Sequence, residues 1–538
     1  MGEKTSRATA WAAAVLVAAT AMHFWLRNLA DPDLWGHLTW GRMMIADGAL
    51  PRTDTFSYTA AGRPFFDHEW LADVLTAGTF DSAGAAGLIG LKLGLLALML
   101  LCVLDATRTL AHDSDLERPA HPFTVAAGLV LALAVTAPGA TFRPQLFTMA
   151  FVALFMALLA RADRRLRTRG LGWGVGWELA VLPPLLGLWA NLHGGFLVGI
   201  ALVGLHAVSV VVRLLSHVAP VPRGRDAILV LALAGLGTLA PLLNPYGLGL
   251  YVYLFDTLNM HAGVGEWDPV PLFSLAFLRF KVLLVLTAVL GVHWWQSERS
   301  EDRRHTLGWL LVFAIFAAGY ALKHQRHTVL FAVVAAPVLI VAAERLRVLA
   351  VRRSPALVPR APVVATVSIG VLLIAAVQVA GVAADVARHG TRIRYSRMAY
   401  PIDALAFLRQ HDLRGNLALP FHWGSYTIHH LDDRVRVFID GRFEAVYPRQ
   451  VLDDYFAFVR GRDGWERVLD AYPTDIVLLQ RAHGIHPRLF ARNDFAYVYS
   501  DPTSLVFVRR NATNQAALDR LTRLARRPPL PVEQTVFP

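Results

Sequence analysis

The stretch LADPDLWGHLTWG, residues 29–41, decides how the rest of this chain is interpreted. It follows the first apolar segment directly and contains two aspartates, a histidine and two tryptophans within thirteen residues. Ionisable side chains are costly at membrane depth, so acids at the end of an apolar helix are informative. Pro32 suits the first turn of a new helix, and an aspartate suits its cap. Asp31 is therefore either a helix cap or a reactive group.

The composition is typical of a polytopic membrane protein. Of the 538 residues, 55% are hydrophobic, and the mean hydropathy is +0.43, more apolar surface than one soluble core buries. A hydrocarbon core about 30 Å thick requires apolar stretches of about 17–22 residues, and about eleven such stretches occur. They lie at 10–28, 84–104, 122–140, 144–160, 177–191, 194–215, 227–243, 277–296, 306–322, 328–343 and 361–385.

The arginines predict how these spans are oriented. Short cytoplasmic loops retain Arg and Lys, and every second loop here is basic if the N-terminus lies in the cytoplasm. The basic loops are 161–170, 221–226, 297–305 and 344–360. We therefore predict a multi-pass protein of the inner (plasma) membrane whose chain from about residue 386 onward lies outside. Because these loops account for much of the net charge of +12, we expect no nucleic-acid partner.

The composition changes near residue 386, which predicts two domains. Residues 1–385 form an all-α membrane domain that includes the first external loop, 29–83. Residues 386–538 form an extracytoplasmic α/β domain. Its predicted helices are 400–411 and 451–459, and its predicted strands are 416–420, 434–440, 475–480, 495–501 and 504–510, the last two a hairpin around Pro502. The tail, 526–538, is expected to be loosely ordered.

Polar side chains outside the basic loops gather at the predicted external ends of the spans. Carboxylates there could deprotonate a nucleophile or hold a divalent cation, and cations could bind a phosphate leaving group. Each residue alone could be a cap, a packing residue or an interfacial anchor, but their convergence favours group transfer from a lipid-linked phosphate. The candidate catalytic residues are Asp31, Asp33 and Glu69, and the candidate donor-phosphate residues are Arg143, His193, Arg326 and His327.

The first loop resembles that of the type C membrane glycosyltransferases, in particular the catalytic subunit of oligosaccharyltransferase. The resemblance rests on DPDLWGHL, at 31–38, and on the spaced Pro51, Asp54 and FSYT that follow. The family also includes the protein O-mannosyltransferases. The resemblance implies inverting transfer of a sugar from a polyprenyl-phosphate or polyprenyl-diphosphate donor to an external glycan, lipid or protein. It implies that the first-loop aspartate is catalytic or binds a metal.

The cofactor is left open by the same resemblance. Asp31 matches the family's aspartate by position, and Asp33 could take its part. Glu266 could act as the later-loop glutamate, so Asp31, Asp33 and Glu266 would be the metal ligands if Mg²⁺ or Mn²⁺ is used. The second loop has no carboxylate where the family has an acidic pair. A metal-independent reaction is therefore equally compatible with the sequence.

A second stretch, FHWGSYTIHHLDDRVRVFIDGRFEAVYP at 421–448, resembles the region of that subunit that begins with its WWDYG motif. Ser425 stands where the family has an aspartate. Two interpretations are open: the aromatics are core residues and the Asp-Gly pair is a turn, or the region binds the acceptor. On the second interpretation the acceptor-binding residues are Trp423, Tyr426, Asp440 and Arg442.

Two other classes of function compete with glycosyl transfer. A transporter or flippase of lipid-linked saccharide also needs polar groups in the membrane, but it should present them along the whole path, with broken helices at the midplane. Here the polarity is predicted on one side only, which favours an enzyme. A non-catalytic envelope assembly protein would tolerate loss of the first loop.

Overall fold

The computed structural model describes residues 3–113, 116, 120–168, 176–217, 222–257, 265–523 and 534–537. The chain divides into two compact units. Unit 1 comprises Met1–Arg27, Ile89–Leu250 and Val264–Gly390, and unit 2 comprises Asn28–Leu88, Tyr251–Gly263 and Thr391–Pro538. The first loop was predicted to belong with the membrane domain. It instead folds together with the C-terminal region, because its aromatic side chains enter the core of that region.

The helices and strands are numbered in chain order. Before residue 390 the helices are α1 (Glu3–Trp25), α2 (Leu34–Asp47), α3 (Trp70–Asp113), α4 (Pro122–Thr136), α5 (Gln145–Thr168), α6 (Trp177–Ala180), α7 (Leu182–Trp189), α8 (Phe196–Leu215), α9 (Gly224–Leu239), α10 (Leu248–Thr257), α11 (Leu278–Ser297), α12 (Glu301–Lys323), α13 (Thr328–Arg353) and α14 (Ala361–His389). Beyond it they are α15 (Ile402–Gln410), α16 (Phe421–Leu431), α17 (Arg449–Arg460), α18 (Arg467–Asp470), α19 (His486–Phe490) and α20 (Gln515–Arg523). The strands are β1 (Ile393–Ser396), β2 (Gly415–Ala418), β3 (Val435–Val437), β4 (Ile476–Gln480), β5 (Phe495–Ser500), β6 (Ser504–Arg509) and β7 (Gln534–Phe537).

Within the described ranges, ten helices are long and apolar enough to cross a membrane. The protein is therefore a multi-pass membrane protein. Ten of the eleven predicted spans have a counterpart among these helices. The exception is 177–191, where α6 and α7 form only a short apolar segment, Trp177–Trp189. Pro183 and Pro184 lie in the first turn of α7, where a proline is tolerated because its missing N–H has no intrahelical partner.

A kink in α3 marks the start of the second predicted span. Gly84 has φ 58° and ψ −154°, which breaks the helical path inside Trp70–Asp113. Glycine adopts this conformation readily, whereas a side chain would be strained there. The apolar stretch predicted at 84–104 therefore begins where the backbone changes direction.

Unit 2 contains a five-stranded sheet in the order β3-β2-β4-β6-β5. β2 pairs with β3 and β4 in parallel, whereas β4–β6 and β5–β6 are antiparallel. Each predicted helix and strand of this region is present, including the hairpin around Pro502. β7 lies in the tail that was expected to be loosely ordered and pairs with β1. The rest of that expectation, residues 526–533 and 538, lies outside the described residues.

The first loop joins this sheet through its backbone. Ser57 forms a parallel bridge to Val437 of β3, and the N–H of Tyr58 donates to the Val437 carbonyl at 3.2 Å. At the other end of the loop, the N–H of Ala30 donates to the carbonyl of Arg394 at 2.8 Å, in β1 and outside this sheet. The Ser57 bridge and the Tyr58 hydrogen bond cover the open edge of β3, which would otherwise present unpaired backbone groups.

The side chains of α2 complete the core of unit 2. Trp35 is fully buried and lies edge-on to Tyr426 and Tyr395, with ring centroids 5.1 and 5.5 Å away. Trp40 packs with Phe65 in a second cluster that contains residues of α17 and β4. Aromatic pairs of this geometry add stability beyond the area they bury. The two tryptophans of the opening stretch are therefore core residues of the unit that carries the C-terminal sheet.

A buried arginine links the loop to the strand that follows α16. The Arg442 guanidinium lies 2.6 Å from the Asp440 carboxylate and 2.7 Å from the Asp54 carboxylate. The Tyr447 hydroxyl donates to Asp440 at 2.8 Å. The aromatic ring of Phe65 lies 4.8 Å from the guanidinium carbon. Removing one member of such a network leaves an uncompensated charge in a nonpolar surrounding.

Replacing this arginine should therefore destabilise unit 2. We expect Arg442→Met to cost about 3–5 kcal/mol, because Asp54 and Asp440 lose their counter-ion. Denaturant unfolding of the purified protein, followed by tryptophan fluorescence, measures this change. Arg436→Met is the matched control, since Arg436 is an exposed residue of β3. Combining Arg442→Met with Asp54→Asn and Asp440→Asn should recover part of the loss. Equal stability of the Arg442 and Arg436 variants would contradict the assigned role.

Candidate functional site

The acidic residues predicted in the first loop form part of a cluster in unit 2. The loop before α2, the first turns of α2, the loop before α3 and the first turn of α3 supply its members. We call it the acid–base cluster; it comprises Asp31, Asp33, His37, Asp67, Glu69 and Asp73.

The two aspartates that flank Pro32 have different roles in the backbone. The Asp31 carboxylate accepts a hydrogen bond from the N–H of Asp33 at 3.1 Å, and the Asp31 carbonyl accepts from the N–H of Leu34. Asp31 thus forms the turn that starts α2. Asp33 occupies the cap position but makes no side-chain capping bond. The Asp33 carboxylate is therefore not required to start the helix, and it is the stronger candidate for chemistry.

His37 and Asp73 form a buried pair next to this turn. The His37 Nδ1 atom lies 2.6 Å from an Asp73 carboxylate oxygen, and the side chains are 7% and 1% exposed. The N–H of His37 donates to the carbonyl of Asp33, one turn earlier in α2. A carboxylate that holds one imidazole nitrogen fixes the orientation of the ring and stabilises its protonated form. The pair is thus suited to holding or accepting a proton.

Sequence reasoning noted His37 without assigning it a function and missed Asp73. The signal for Asp73 is its place as a single acid in the apolar run that begins α3, WLADVLTAG. A carboxylate in such a run must be buried or face a cavity, and a buried carboxylate requires a partner. Which partner it finds depends on how α2 packs on α3, and a single sequence does not show that packing.

Close packing of α2 on α3 depends on Gly41. A methyl group at this position would lie 2.2 Å from the Asp73 carbonyl oxygen and 2.7 Å from the Ala77 side chain. Both are far below a van der Waals contact. Only glycine lets the helices approach as they do, and this approach places His37 within hydrogen-bond distance of Asp73.

Asp67 and Glu69 bring further carboxylates to the cluster. The Asp67 carboxylate accepts from the N–H of Glu69 at 3.2 Å. Glu69 also lies 3.6 Å from the His68 Nε2 atom. Burial, with the nearby carboxylates of Asp73 and Glu69, raises the pKa of Asp67 well above its usual value. Raised carboxyl pKa values in a cluster are typical of sites that exchange protons, although structural clusters also produce them.

The Asp440-Gly441 turn approaches the Asp33 carboxylate closely. A methyl group at Gly441 would lie 2.9 Å from the Asp33 Oδ1 atom. A methyl group at Gly424, on α16, would lie 2.6 Å from the backbone of Asp440. The two glycines therefore let α16, the turn and the first-loop aspartate come into contact. The two stretches that resemble the family, 31–38 and 421–448, are therefore in contact at this turn.

The four predicted acceptor-binding residues make internal contacts in this structure. Trp423 is 0% exposed, and its indole N–H donates to the Ala399 carbonyl at 2.8 Å. Tyr426 is buried against Trp35, and Asp440 and Arg442 form the ion pair described above. These contacts account for the four residues as parts of the fold. Their contact with an acceptor stays a prediction.

Unit 1 contains a cluster of cations around one carboxylate. Glu266 accepts from Arg143 at 3.0 Å and from Arg326 at 3.1 Å, so the two predicted phosphate-binding arginines converge on it. The guanidinium of Arg326 also lies 4.4 Å above the ring of Trp267. Two guanidiniums against one carboxylate leave a net positive charge, which suits an anionic ligand.

The two predicted histidines of this set have well-defined neighbours. The His193 Nδ1 atom lies 2.8 Å from the Thr148 hydroxyl and accepts from the N–H of Gly195 at 2.9 Å. The His327 ring lies tilted against the ring of Tyr320, with ring centroids 4.2 Å apart. Trp267 lies edge-on to His327 at 5.8 Å, so His327 belongs to the Arg326 cluster.

Glu266, one of the three predicted metal ligands, accepts hydrogen bonds from two arginines. In the part of the chain that the structure describes, no three His, Cys, Asp or Glu side chains are arranged to hold a metal ion. Metal binding by Asp31 and Asp33 stays a prediction, and no step of the proposed reaction uses a metal.

Comparison with solved structures identifies the fold as that of the type C membrane glycosyltransferases. The archaeal oligosaccharyltransferase AglB from Archaeoglobus fulgidus, in complex with an inhibitory peptide and a dolichol-phosphate, has a TM-score of 0.56 at 13% identity, over 87% of this chain and 69% of that chain. The Archaeoglobus fulgidus oligosaccharyltransferase tethered to an acceptor peptide with the NVT sequon has a TM-score of 0.53 at 13% identity, over 93% and 74%.

A third structure, ArnT from Cupriavidus metallidurans bound to undecaprenyl phosphate, has a TM-score of 0.48 at 14% identity, over 94% of this chain and 98% of that chain. No protein-family model matches the sequence, and a comparison with curated proteins finds no match. The fold assignment rests on the two oligosaccharyltransferases. The fold implied by the resemblance in DPDLWGHL and HWGSY is therefore confirmed.

The raised pKa of Asp67 predicts a pH dependence of stability. The folded protein retains a proton on Asp67 at pH values where the unfolded chain has lost it, so the stabilisation is present at low pH and is lost as pH rises through the folded-state pKa. We expect Asp67→Asn, which cannot lose this proton, to show a smaller fall in melting temperature between about pH 5 and pH 8. Asp47→Asn, at the exposed end of α2, should follow the wild type. Parallel curves for all three proteins would contradict this assignment.

Proposed function

We propose that this protein transfers a sugar from a polyprenyl-phosphate-linked donor to an acceptor outside the cytoplasm. The observation that carries the proposal is the acid–base cluster of unit 2, in which Asp33 adjoins the buried His37–Asp73 pair. The glycosyltransferase fold supports it. So does the dolichol-phosphate present in one solved structure of that fold.

The proposed reaction needs a base for the acceptor and cations for the leaving phosphate. Asp33 removes the proton from the acceptor hydroxyl or amide, and the acceptor atom bonds to the anomeric carbon. The bond from that carbon to the phosphate oxygen breaks at the same time, which inverts the configuration. The proton remains on the carboxylate, and the polyprenyl phosphate leaves with the electron pair. Arg143 and Arg326 stabilise the charge that develops on this leaving group.

His37, Asp73 and the Asp440-Gly441 turn are positioning residues in this proposal. The backbone N–H of residue 37 donates to the Asp33 carbonyl, and the His37 imidazole binds Asp73, so His37 connects the start of α2 to α3. Asp73 fixes the imidazole, and Gly441 leaves room for the Asp33 carboxylate. A displacement of about 1 Å at a reacting group can lower a rate by about a hundredfold. Substitution of Gly441 should therefore affect turnover more than folding.

The orientation predicted from the arginines places the proposed reaction outside the cytoplasm. In a Cys102-free background, a cysteine introduced at exposed Arg436 in unit 2 should react with an impermeant maleimide in intact cells. A cysteine at Arg352, in a predicted cytoplasmic loop, should react only after permeabilisation. The reverse pattern would place both the domain and the reaction on the other side of the membrane.

The function can be tested in cells that lack the gene. Complementation with the wild type should restore a glycan detected by mass spectrometry and should lower the amount of accumulated polyprenyl-phosphate sugar. Asp33→Asn should abolish both effects, because losing a base commonly costs two or more orders of magnitude in rate. Gly441→Ala should lower transfer by about 10- to 100-fold. Asp47→Asn and Gly484→Ala are the controls, on the same helix and in the same unit.

The same assay tests whether Arg326 binds the leaving phosphate. Arg326→Ala should weaken donor use by about 1.5–3 kcal/mol, and Arg326→Lys should restore it only in part, because a lysine cannot bind two phosphate oxygens at once. Lys323→Ala, on an exposed residue close by in the sequence, is the control. Wild-type transfer by Asp33→Asn in correctly inserted protein would refute the proposal, and a loss common to all variants and controls would indicate misfolding.

A further inference from the structure

A groove in unit 1 has no role in the proposed reaction. It lies along α8 and α12 and has a volume of about 560 Å³. The apolar part of its lining includes Val208 and Val212 of α8 and Val312 of α12, each about half exposed. Trp295, at the end of α11, lines it as well and is 42% exposed. Tryptophan is enriched where hydrocarbon meets headgroups, so the groove is suited to an amphiphilic molecule.

The groove is polar at one end. The lining there includes Ser216, which ends α8, and Glu301, Arg304 and His305 in the first two turns of α12. Glu301 and Arg304 are three residues apart and therefore lie on the same helix face. Neither side chain forms an ion pair or hydrogen bond with any described residue, and the Nε atom of Arg304 is buried without a partner. One acid and one base thus line the groove side by side, both unpaired.

Other charged residues of the same helix turn are already paired. Asp302 lies 3.2 Å from Arg167 of α5 and 3.6 Å from Arg213 of α8. Arg213 also lies 3.5 Å from Asp163. These buried ion pairs join α5, α8 and α12 behind the groove, so its walls are fixed before a ligand binds. Preorganised walls lower the cost of binding.

A second unpaired donor lies deeper in the lining. Trp309 is 3% exposed, and its indole N–H is buried with no hydrogen-bond partner among the described residues. A buried N–H without an acceptor costs about 1–3 kcal/mol. An ester or phosphate oxygen of a bound lipid would remove that cost. A purely apolar chain would not.

We propose that the groove binds a membrane phospholipid with a zwitterionic headgroup that carries a primary ammonium. Arg304 pairs with the phosphate, Glu301 pairs with the ammonium, and one acyl chain lies along Val208 and Val312. An anionic headgroup would leave Glu301 unpaired and close to a second negative charge. A quaternary ammonium would lack the N–H groups that donate to Glu301. The inference does not depend on the proposed glycosyl transfer.

Native mass spectrometry of the full chain, stripped of lipid in neutral detergent, tests this site. The probes are phosphatidylethanolamine, phosphatidylglycerol and phosphatidylcholine with identical acyl chains. We expect phosphatidylethanolamine to bind most tightly. Arg304→Gln should weaken all three lipids by about tenfold at the first site, and Glu301→Gln should weaken phosphatidylethanolamine the most, by about threefold. Gly308→Leu, which narrows the groove next to Trp295, should remove the first site.

The control is Arg299→Gln, because Arg299 is exposed just before α12 and does not line the groove. It should leave all three affinities unchanged. Tighter binding of phosphatidylglycerol than of phosphatidylethanolamine would overturn the proposal and indicate a simple anion site. Equal effects of Arg299→Gln and Arg304→Gln would also overturn it, since that result describes non-specific lipid around the protein.

Discussion

The arrangement of unit 2 depends on a positive charge placed where water cannot reach it. Arg442 follows a strand of the C-terminal sheet, and both of its carboxylate partners are buried, one in the same turn and one in the first loop. A buried guanidinium is tolerated only while it is paired, so the loop must remain where Asp54 can reach it. With the loop fixed, Ser57 continues the sheet and the aromatics of α2 fill the core. The ion pair thus specifies which parts of the chain fold together.

Glycines then determine how closely the elements that carry the polar residues approach. Gly41 lets α2 touch α3, Gly424 lets α16 touch the Asp440 backbone, and Gly441 leaves room for the Asp33 carboxylate. At each position a methyl group would overlap a neighbouring atom. These contacts have no signature in hydropathy or charge, yet they decide that His37 meets Asp73 and that Asp33 adjoins the Asp-Gly turn. The geometry of the acid–base cluster and its neighbouring turn therefore depends on these three glycines.

The sequence was sufficient for the features that depend on periodicity and composition. Ten of the eleven predicted spans are long apolar helices, and the strands of the C-terminal sheet lie where alternation predicted them. It was insufficient where the outcome depends on tertiary pairing. The partners of His37 and Arg442 lie 36 and 388 positions away along the chain. The division of the chain into units also depends on tertiary contacts. Trp35 of the first loop packs against Tyr395, more than 350 residues later in the chain.

The two aspartates of the opening stretch separate into a structural and a reactive candidate on one physical criterion. Asp31 uses its carboxylate to bind the backbone N–H of Asp33, which a helix start requires. Asp33 makes no capping bond, and its carboxylate lies next to the Gly441 turn. It belongs to a group of acids in which burial raises the pKa of Asp67. A base must be able to exchange its proton without loss of the fold. Of the two, Asp33 is the candidate that we favour, since α2 begins without a capping bond from its side chain, and a catalytic role of Asp31 stays a prediction.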